Sequence, residues 1–556
     1  MVFEGRYQRF EGILGKGILF FLLFAAYAFL PFRAPKTVWN SPDEMANAFW
    51  AHQVAEERTL MVWEPLEEQG RGRIHPRSIT VRDSFLVPQS FHGLPVIYGW
   101  IAFVLGNWIL PFLTPFFAAL AVLAWRSVVA SAFGHRAGLI AASLLAITPA
   151  WWYYANRGLY HNVFFVSLLI FSAYFFLMKP SPPSQSFNKN SIAQSLNRSI
   201  AFPHLTSGLL LGFALWVRPS EIGWIGLGLV FLFLTLPKQL TLKKMGGFLI
   251  GLVLGILPLL TINYGLYGNP LASGYPSLTD GTPLAGEETA PNLITQSLDY
   301  SIAFLFPFGL HPRAALTHFS QFFILLPWGI TLLLGISFLW LAYRFLAGQG
   351  DRKEVILALL WFGLTGWLVL FYGSWLVRDN PDPSAVTVGS SYLRYWLPSF
   401  ILGTIAIGAF GAALWQRFGR GGMIVLATLG AILLGLNFTV VFSTPGDGLF
   451  SVRQTLERYA KIKSEVLRMT PLDSVIIVDR ADKIFFPDRR VVTPLRDPAT
   501  YEIVPALIKS VPLYYFGLTM KPEDKQFHQQ TYWGPNNLSF GRITTFEHES
   551  LYKFLR

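Results

Sequence analysis

Long apolar stretches, each bounded by polar or charged residues, recur along this chain of 556 residues. A helix needs roughly 20 apolar residues to cross a hydrocarbon core about 30 Å thick. Hydrophobic residues make up 53% of the chain and charged residues only 14%, which is typical of a protein whose solvent is the bilayer. We therefore predict an α-helical multi-spanning membrane protein with about 11 transmembrane helices. The stretches lie near residues 16–32, 111–132, 137–149, 162–178, 206–217, 222–236, 246–262, 320–343, 354–372, 393–415 and 422–441.

The basic residues fall mainly in every second loop, whereas acidic residues gather in the others. Short cytoplasmic loops collect Lys and Arg, so this alternation predicts a cytoplasmic N-terminus, an extracytoplasmic C-terminal tail and a place in the plasma (inner) membrane. The same topology signals account for much of the net charge of +12. The charge therefore needs no nucleic-acid partner. The inner basic residues include Arg6, Arg9, Lys16, Arg126, Arg136, Lys243, Arg344 and Arg417.

Three outer segments are longer than most inner loops, which indicates that the outer face is the working face. These segments cover roughly residues 33–110, 263–318 and 373–392. The composition turns polar after Phe442, so we predict a transmembrane domain over 1–441 and an extracytoplasmic domain over 442–556. A helical pattern over 449–469 and apolar strand patterns make the second domain a small α/β domain. The strand patterns lie at 474–478, 491–493, 511–517 and 542–546.

Two outer helices are expected within the first outer segment. Ser41 suits an N-cap and Pro42 the first helical position, so a helix should run from 42 to about 58. Its apolar residues recur on one side, which predicts a helix lying along the membrane surface. Residues 94–107 are apolar but short, and are predicted to be re-entrant or interfacial.

Asp43 and Glu44 form an acidic pair just outside the first span. In one interpretation they are structural, since Glu44 completes a capping box and Asp43 favours the positive end of the helix. In the other they are catalytic. A carboxylate near the lipid boundary is partly desolvated, becomes more basic and can take a proton from an acceptor hydroxyl. The spacing alone leaves both interpretations open.

Several outer cations could bind a phosphate. Arg394 opens an apolar stretch among aromatic residues, with Arg378 a short loop upstream. The alternative for Arg394 is an interfacial arginine in an aromatic belt. Arg218 lies on the outer side between two short spans, where boundary charges are functional candidates, although Glu221 could simply pair with it.

The outer histidines do not show metal-ligand spacing. His161 and Asn162 belong to a short outer turn rich in hydrogen-bonding groups, and His75, His92 and His311 are scattered elsewhere on that side. The chain has no cysteine, so Cys-based zinc sites and disulfides are excluded. We assign no metal ligand, and a divalent metal stays open as a cofactor.

The second outer segment opens with a stretch rich in glycine and tyrosine over residues 263–275. Tyr275 could stack on a sugar there. A plain structural turn is the alternative.

These segments together resemble the GT-C fold glycosyltransferases, multi-span enzymes that use polyprenyl-phosphate sugars. The resemblance is nearest in kind to protein O-mannosyltransferases and the aminoarabinose transferase of lipid A. Their order and sidedness agree through residues 1–441. The segments that carry it are Trp39–Glu44, Phe91–Tyr98, Phe133–Arg136 and Arg394–Pro398.

The resemblance implies inverting transfer of a sugar from a polyprenyl-phosphate carrier to a hydroxyl of an extracytoplasmic glycan, lipid or protein. Asp43 would be the base or acceptor-orienting carboxylate, with Glu44 beside it. Arg394 and the nearby cations Arg378 and Arg218 would hold the donor phosphate. His92 stands where some relatives have a lysine, and is a further candidate for a phosphate contact.

The chain departs from the pattern of those relatives at two places. It has Ala46 and Asn47 where relatives often place Arg-Tyr, and His161 and Asn162 where they often have an aspartate.

We assign the substrate lining to four residues. They are His161, Asn162, Tyr275 and Tyr395.

Two other classes of function remain open. A transporter or flippase of a lipid-linked or polar solute would usually show pseudo-symmetric halves and polar residues near mid-membrane. Here the polar residues cluster at one face, which favours surface chemistry. A non-catalytic glycan-assembly protein with a degenerate site is the other alternative, because of Ala46 and His161.

Overall fold

The computed structural model of the protein describes residues 2–178, 201–235, 241–274, 309–377, 382 and 384–556. Its α-helices, in chain order, are α1 (Val2–Tyr27), α2 (Phe29–Arg33), α3 (Pro42–Glu56), α4 (Glu67–Gly70), α5 (Gly93–Leu105), α6 (Leu110–Phe133), α7 (His135–Ile147), α8 (Pro149–Asn156), α9 (His161–Leu177), α10 (Ala201–Val217), α11 (Ile222–Thr235), α12 (Leu242–Tyr267), α13 (Pro312–His318), α14 (Trp328–Leu346), α15 (Arg352–Gly373), α16 (Ser391–Tyr395), α17 (Leu397–Ser443), α18 (Leu449–Met469), α19 (Asp482–Phe485), α20 (Pro498–Ser510) and α21 (Pro522–His528). The strands are β1 (Val62–Trp63), β2 (Ile79–Arg82), β3 (Phe85–Pro88), β4 (Val475–Val478), β5 (Arg490–Val492), β6 (Leu513–Leu518), β7 (Ser539–Phe546) and β8 (Glu549–Leu555).

The chain divides into two compact units, each assembled from three segments. Unit 1 comprises Met1–Leu30, Phe112–Leu260 and Ser277–Ser451. Unit 2 comprises Pro31–Pro111, Thr261–Pro276 and Val452–Arg556. The first outer segment therefore belongs to the same unit as most of the polar C-terminal region. The domain boundary between residues 441 and 442 was inferred from a change in composition, and it stays a prediction.

The apolar stretches of the sequence lie on helices wherever the structure describes them, and several extend over two consecutive helices. Among the described residues, five helices are long and apolar enough to cross a membrane, or up to seven when each bent pair counts as one span. Shorter apolar helices account for other stretches. The 47-residue helix α17 carries two of them, and non-helical backbone at Gly419 separates its arms.

Two helix pairs of unit 1 are sharply bent at short breaks. Helix α8 meets α9 at 115°, and α10 meets the segment Pro219–Thr235 at 113°. A break frees backbone groups that lipid cannot satisfy. Within a membrane, such breaks are tolerated where the backbone is enclosed by protein or lines a cavity.

Glycines bring two apolar helices of unit 1 into backbone contact. Gly208 and Gly212 of α10 face Gly251 and Gly255 of α12, and a Cβ atom at any of these positions would meet the backbone of the other helix. Small residues four apart allow such close packing, which is the main source of helix association in a bilayer.

Unit 2 contains two sheets. The first outer segment forms an antiparallel sheet in the order β1-β3-β2, and the C-terminal region forms a five-stranded sheet in the order β5-β4-β6-β8-β7. Strand β4 is parallel to β5 and β6, while β6, β8 and β7 pair antiparallel. The structure confirms helix α18 and the strands predicted near β4, β5, β6 and β7. The small sheet and β8 were not predicted.

The first outer segment supplies part of the core of the larger sheet. Ile74 is 1% exposed and belongs to the same hydrophobic cluster as Val475 and Leu513. It also forms an isolated antiparallel bridge with Val492. Burying such side chains is the main favourable term in folding, so the two segments stabilise one another.

The predicted cap of α3 is confirmed, because Ser41 Oγ accepts a hydrogen bond from the Asp43 backbone N–H at 3.2 Å. The helix is buried on more than one side, unlike the one-sided helix that its sequence pattern predicts. Helix α5 packs closely against it, since a Cβ atom on Gly99 would lie 2.6 Å from Val54 Cβ. Phe49 contacts Phe486 on another side, with ring centres 4.8 Å apart.

Candidate functional site

Arg394 lies in α16 and is buried among tyrosine rings of unit 1. Its Cζ atom is 4.3 Å from the centre of the Tyr160 ring and 5.2 Å from that of Tyr395. Its Nη2 donates to Ser391 Oγ at 2.7 Å. A guanidinium is attracted to the face of an aromatic ring. These uncharged groups therefore orient the cation while preserving its positive charge.

Arg157 is a second buried cation, and it shares a ring with Arg394. Its Cζ atom is 5.3 Å from the centre of the Tyr160 ring, and its Nη1 donates to the Tyr153 hydroxyl at 2.7 Å. The residue ends α8 at the bend before α9. We did not predict Arg157 from the sequence. The sequence did contain a signal for a polar site here. Arg157 and Gly158 interrupt two apolar helical patterns, and tyrosines flank them.

Arg218 is a third buried cation, and it lies at the bend between α10 and α11. Its Nη2 forms an ion pair with Glu221 Oε1 at 2.7 Å and donates to the Tyr372 hydroxyl at 2.8 Å. The Tyr372 hydroxyl in turn donates to Glu221 Oε1 at 2.6 Å. The pairing considered from the sequence is thus present. Glu221 balances the charge of this arginine.

The three arginines and two of their tyrosines form what we call the cation–aromatic cluster. Tyr160 lies between Arg157 and Arg394, while the Tyr395 ring has Arg394 on one side and Arg218, at 5.1 Å, on another. Arg157 and Arg218 stand at helix breaks, and Arg394 lies in the short helix α16 that precedes α17. Broken helices thereby bring polar side chains into the interior of an otherwise apolar unit.

Two predicted lining residues belong to the same neighbourhood. Asn162 Nδ2 donates to the Arg394 carbonyl at 3.2 Å, which ties the start of α9 to α16. His161 is buried beside Tyr160 in the chain. The structure therefore brings His161, Asn162, Tyr395, Arg394 and Arg218 together. Two other candidates, Arg378 and Tyr275, lie outside the described residues.

An apolar cavity of about 760 Å³ lies in unit 1. It is enclosed mainly by α9, α10, α11, α15 and α17. Trp224 lines the cavity and also donates Nε1–H to Glu221 Oε2 at 2.6 Å. Trp224 therefore links the cavity wall to the Arg218–Glu221 pair. Its apolar lining includes Val166, Leu169, Phe176, Leu211, Leu232, Phe248, Leu364 and Ile401.

Asp43 and Glu44 lie in the first turn of α3, in unit 2. Glu44 is 4% exposed, whereas Asp43 is half-buried. Asp43 Oδ1 accepts a hydrogen bond from Ser78 Oγ at 2.8 Å. The first turn of a helix is a favourable position for a carboxylate.

His92 immediately precedes α5 in unit 2, and its Nε2 lies 2.8 Å from Asn263 Oδ1. Burial lowers the pKa of His92 to about 4, although the bond to Asn263 opposes the shift. The imidazole is therefore neutral near pH 7. The single N–H of the neutral ring is donated to Asn263 Oδ1, so the imidazole offers a phosphate neither a positive charge nor a second N–H.

Among the residues that the structure describes, no three His, Asp or Glu side chains gather closely enough to hold a metal ion.

No family model matches the sequence, and no curated protein matches it. Solved structures do match, and they define the class: the chain has the GT-C fold, an α-helical multi-pass membrane architecture with a small C-terminal sheet region. The predicted fold class is confirmed.

ArnT from Cupriavidus metallidurans bound to undecaprenyl phosphate matches with a TM-score of 0.53 and 13% identity, over 97% of this chain and 98% of that one. Its apo structure gives a TM-score of 0.54 at 13% identity, over 98% of each chain. The Archaeoglobus fulgidus oligosaccharyltransferase in complex with Zn and sulfate gives 0.51 at 13% identity, over 90% of this chain and 67% of that one. At such identity the likeness concerns the fold.

Proposed function

We propose that this protein is a membrane glycosyltransferase that moves a sugar from a polyprenyl-phosphate carrier to an extracytoplasmic acceptor hydroxyl, with inversion. The observation that carries the proposal is the cation–aromatic cluster of unit 1, to which Trp224 of the apolar cavity is linked through Glu221 and Arg218. A polyprenyl phosphate has a long apolar chain and an anionic head, so it requires apolar surface and positive charge side by side. Undecaprenyl phosphate is bound in the similar ArnT structure, which supports this class of donor.

The buried arginines are assigned to the donor phosphate. When the bond from the anomeric carbon to the phosphate oxygen breaks, negative charge grows on the leaving phosphate. Preorganised cations in a site that excludes water stabilise such charge most effectively. Tyrosine rings and hydroxyls orient Arg394 and Arg157, and the ion pair with Glu221 orients Arg218.

Asp43 is assigned to the acceptor as the general base. It takes the proton of the acceptor hydroxyl as that oxygen attacks the anomeric carbon. A positioned base contributes typically 10²–10⁴-fold in rate. Glu44, one residue further along and almost fully buried, is the alternative carboxylate.

The test uses the purified full-length protein in lipid nanodiscs with a panel of undecaprenyl-phosphate sugars. Asp43→Asn should lower kcat by at least about a hundredfold. Asp83→Asn is the matched control, because the Asp83 side chain is 90% exposed in the turn between β2 and β3. Equal kcat for wild type and Asp43→Asn would remove Asp43 from the role of base. Absence of sugar transfer and hydrolysis with every donor would refute the proposed reaction.

A cytoplasmic N-terminus and an extracytoplasmic C-terminal tail belong to the same proposal. Because the chain has no cysteine, single introduced cysteines can be labelled without background. Ser474→Cys is buried, so Asp473→Cys in the exposed turn before β4 is the better probe. An impermeant thiol reagent should label it from outside intact spheroplasts. Labelling only after lysis would reverse the orientation.

A flippase of a lipid-linked solute is the second candidate, and the two broken helix pairs favour it. Discontinuous helices with buried charges are common at the binding sites of transporters. Reconstituted protein that moves the lipid-linked sugar between leaflets without ever cleaving it would establish this alternative.

A further inference from the structure

Ser78 holds the candidate base Asp43 from an unusual backbone conformation. The φ angle of Ser78 is +65°, in the left-handed region that residues with a side chain seldom adopt. In this conformation its hydroxyl donates to Asp43 Oδ1 at 2.8 Å. A non-glycine residue persists there when the surrounding structure determines its backbone. The contacts of the neighbouring residues determine the backbone of Ser78.

Arg77, the preceding residue, is fastened to Asp482 of the C-terminal region. Its backbone N–H donates to Asp482 Oδ2 at 2.9 Å, and its Nη2 forms an ion pair with Asp482 Oδ1 at 2.6 Å. The Asp482 side chain is fully buried, at 0% exposed. A buried carboxylate that accepts from both a backbone amide and a guanidinium restricts both partners. Asp482 therefore fixes the backbone immediately before Ser78.

Lys483, next to Asp482 in α19, fixes the other side of the Asp43 turn. Its Nζ donates to the Asn40 carbonyl at 2.6 Å. Asn40 directly precedes Ser41, whose hydroxyl accepts from the Asp43 N–H. Two adjacent residues of α19 thus hold the chain on both sides of the candidate base.

We propose that Ser78 is a positioning residue for Asp43, and that Asp482 and Lys483 set the geometry of both from the C-terminal region. The inference rests on the proposed function, in which Asp43 is the base. The hydroxyl of Ser78 limits rotation of the Asp43 carboxylate about its side-chain bonds. Proton transfer requires the base within hydrogen-bond reach of the acceptor, so a misplaced carboxylate slows the chemical step and leaves donor binding intact.

The first test separates the hydroxyl of Ser78 from its backbone conformation. Ser78→Gly accepts a positive φ without strain but removes the donor. Ser78→Asn tolerates the same conformation and supplies an amide N–H donor. Ser84→Gly is the matched control, since Ser84 also has a φ of +65° and lies in the turn between β2 and β3.

The readout is kcat and donor KM for sugar transfer by the full-length enzyme in nanodiscs. Ser78→Gly should lower kcat roughly 10- to 100-fold, as misplacement of a reacting group does, with donor KM unchanged. Ser78→Asn should recover most of kcat, and Ser84→Gly should match wild type. Wild-type kcat in Ser78→Gly would overturn the inference. So would a loss in Ser84→Gly equal to that in Ser78→Gly.

A second test does not depend on turnover. Backbone hydrogen exchange is measured by mass spectrometry on wild type and on the variants Asp482→Asn and Lys483→Met. Exchange over residues 40–46 and 76–79 should quicken at least about tenfold in both variants, because local opening becomes easier, while α5 stays unchanged. Unchanged exchange in those segments would overturn the inference that Asp482 and Lys483 set the geometry of Asp43 and Ser78. If wild type is inactive but the exchange pattern is as expected, the proposed function is refuted. The structural role of Asp482 and Lys483 then still holds.

Discussion

Replacing Arg218 with methionine is expected to destabilise unit 1, because it leaves Glu221 buried without its cation. The Arg218 and Glu221 side chains are only 7% and 3% exposed, with Nη2 and Oε1 2.7 Å apart. Removing one partner of a buried ion pair costs about 3–5 kcal/mol. Methionine matches much of the volume of the arginine stem, so the loss of the cation dominates.

The destabilisation by Arg218→Met should be about 3–4 kcal/mol at pH 7. At about 2 °C per kcal/mol for a large domain, the melting temperature should drop by roughly 6–8 °C at pH 7.

The double variant Arg218→Met/Glu221→Gln provides the comparison. The glutamine oxygen can still accept from the Tyr372 hydroxyl, and no charge is left unpaired. Its melting temperature should return to within about 3 °C of wild type, since neutral replacements of buried pairs cost little. Melting is followed by intrinsic fluorescence in one detergent at one heating rate.

A wild-type melting temperature for Arg218→Met at pH 7, or a double variant less stable than the single one, would refute this reasoning. The double variant also decides the role of Arg218. Full activity would make the residue structural. Restored stability with a raised donor KM would support a phosphate contact.

Three further predictions concern separate features. Because burial lowers the pKa of His92 to about 4, from about 6.5 when unfolded, about 3 kcal/mol of stability is present above pH 6.5 and is lost as the pH falls to 4. The melting temperature of wild type should fall over that range more steeply than that of His92→Gln. Gly251→Ala should lower the free energy of unfolding by about 1–3 kcal/mol, because the added methyl group forces α10 and α12 apart. Gly246→Ala is the control, since Gly246 has open space around it. Equal melting temperatures for the two variants would contradict this. Tyr160→Leu removes the ring shared by Arg157 and Arg394, whose contact with a cation is worth about 1–2 kcal/mol, so the donor KM should rise roughly 5- to 30-fold. Tyr160→Phe keeps the ring and should have a donor KM nearer to that of wild type. Equal KM values for the two variants would contradict this.

Local patterns predicted much of the helical fold. Helix α18 was predicted over 449–469 because its amphipathic period is strong and Thr470–Pro471 ends it. The four residues of β4 are all apolar and fully buried, which a short apolar run indicates directly. In contrast, β8 alternates with charged residues, and the small sheet consists of strands of two to four residues. Their pairing depends on distant parts of the chain, so local sequence carried little signal.

The candidate site was only partly predictable for a related reason. Arg394 and Arg218 stood out because charges at the edges of apolar stretches are conspicuous. Arg157 escaped notice because its importance depends on sharing the Tyr160 ring with Arg394, more than 200 positions away. Ser78 carried no pattern at all. Its relation to Asp43 depends on Asp482, more than 400 positions further on, and no rule based on neighbouring residues connects them.

The composition of unit 2 has a consequence for how the protein is made. The ion pair between Arg73 and Asp497 joins residues 424 positions apart. At a synthesis rate of about 5–20 residues per second, the first outer segment leaves the ribosome roughly 20–85 seconds before its C-terminal partner. During that interval Ile74 lacks its core and Arg77 lacks Asp482. Unit 2 can therefore mature only after the last strands are translated, and a chain truncated before β4 would keep its membrane helices while leaving the Asp43 turn unsupported.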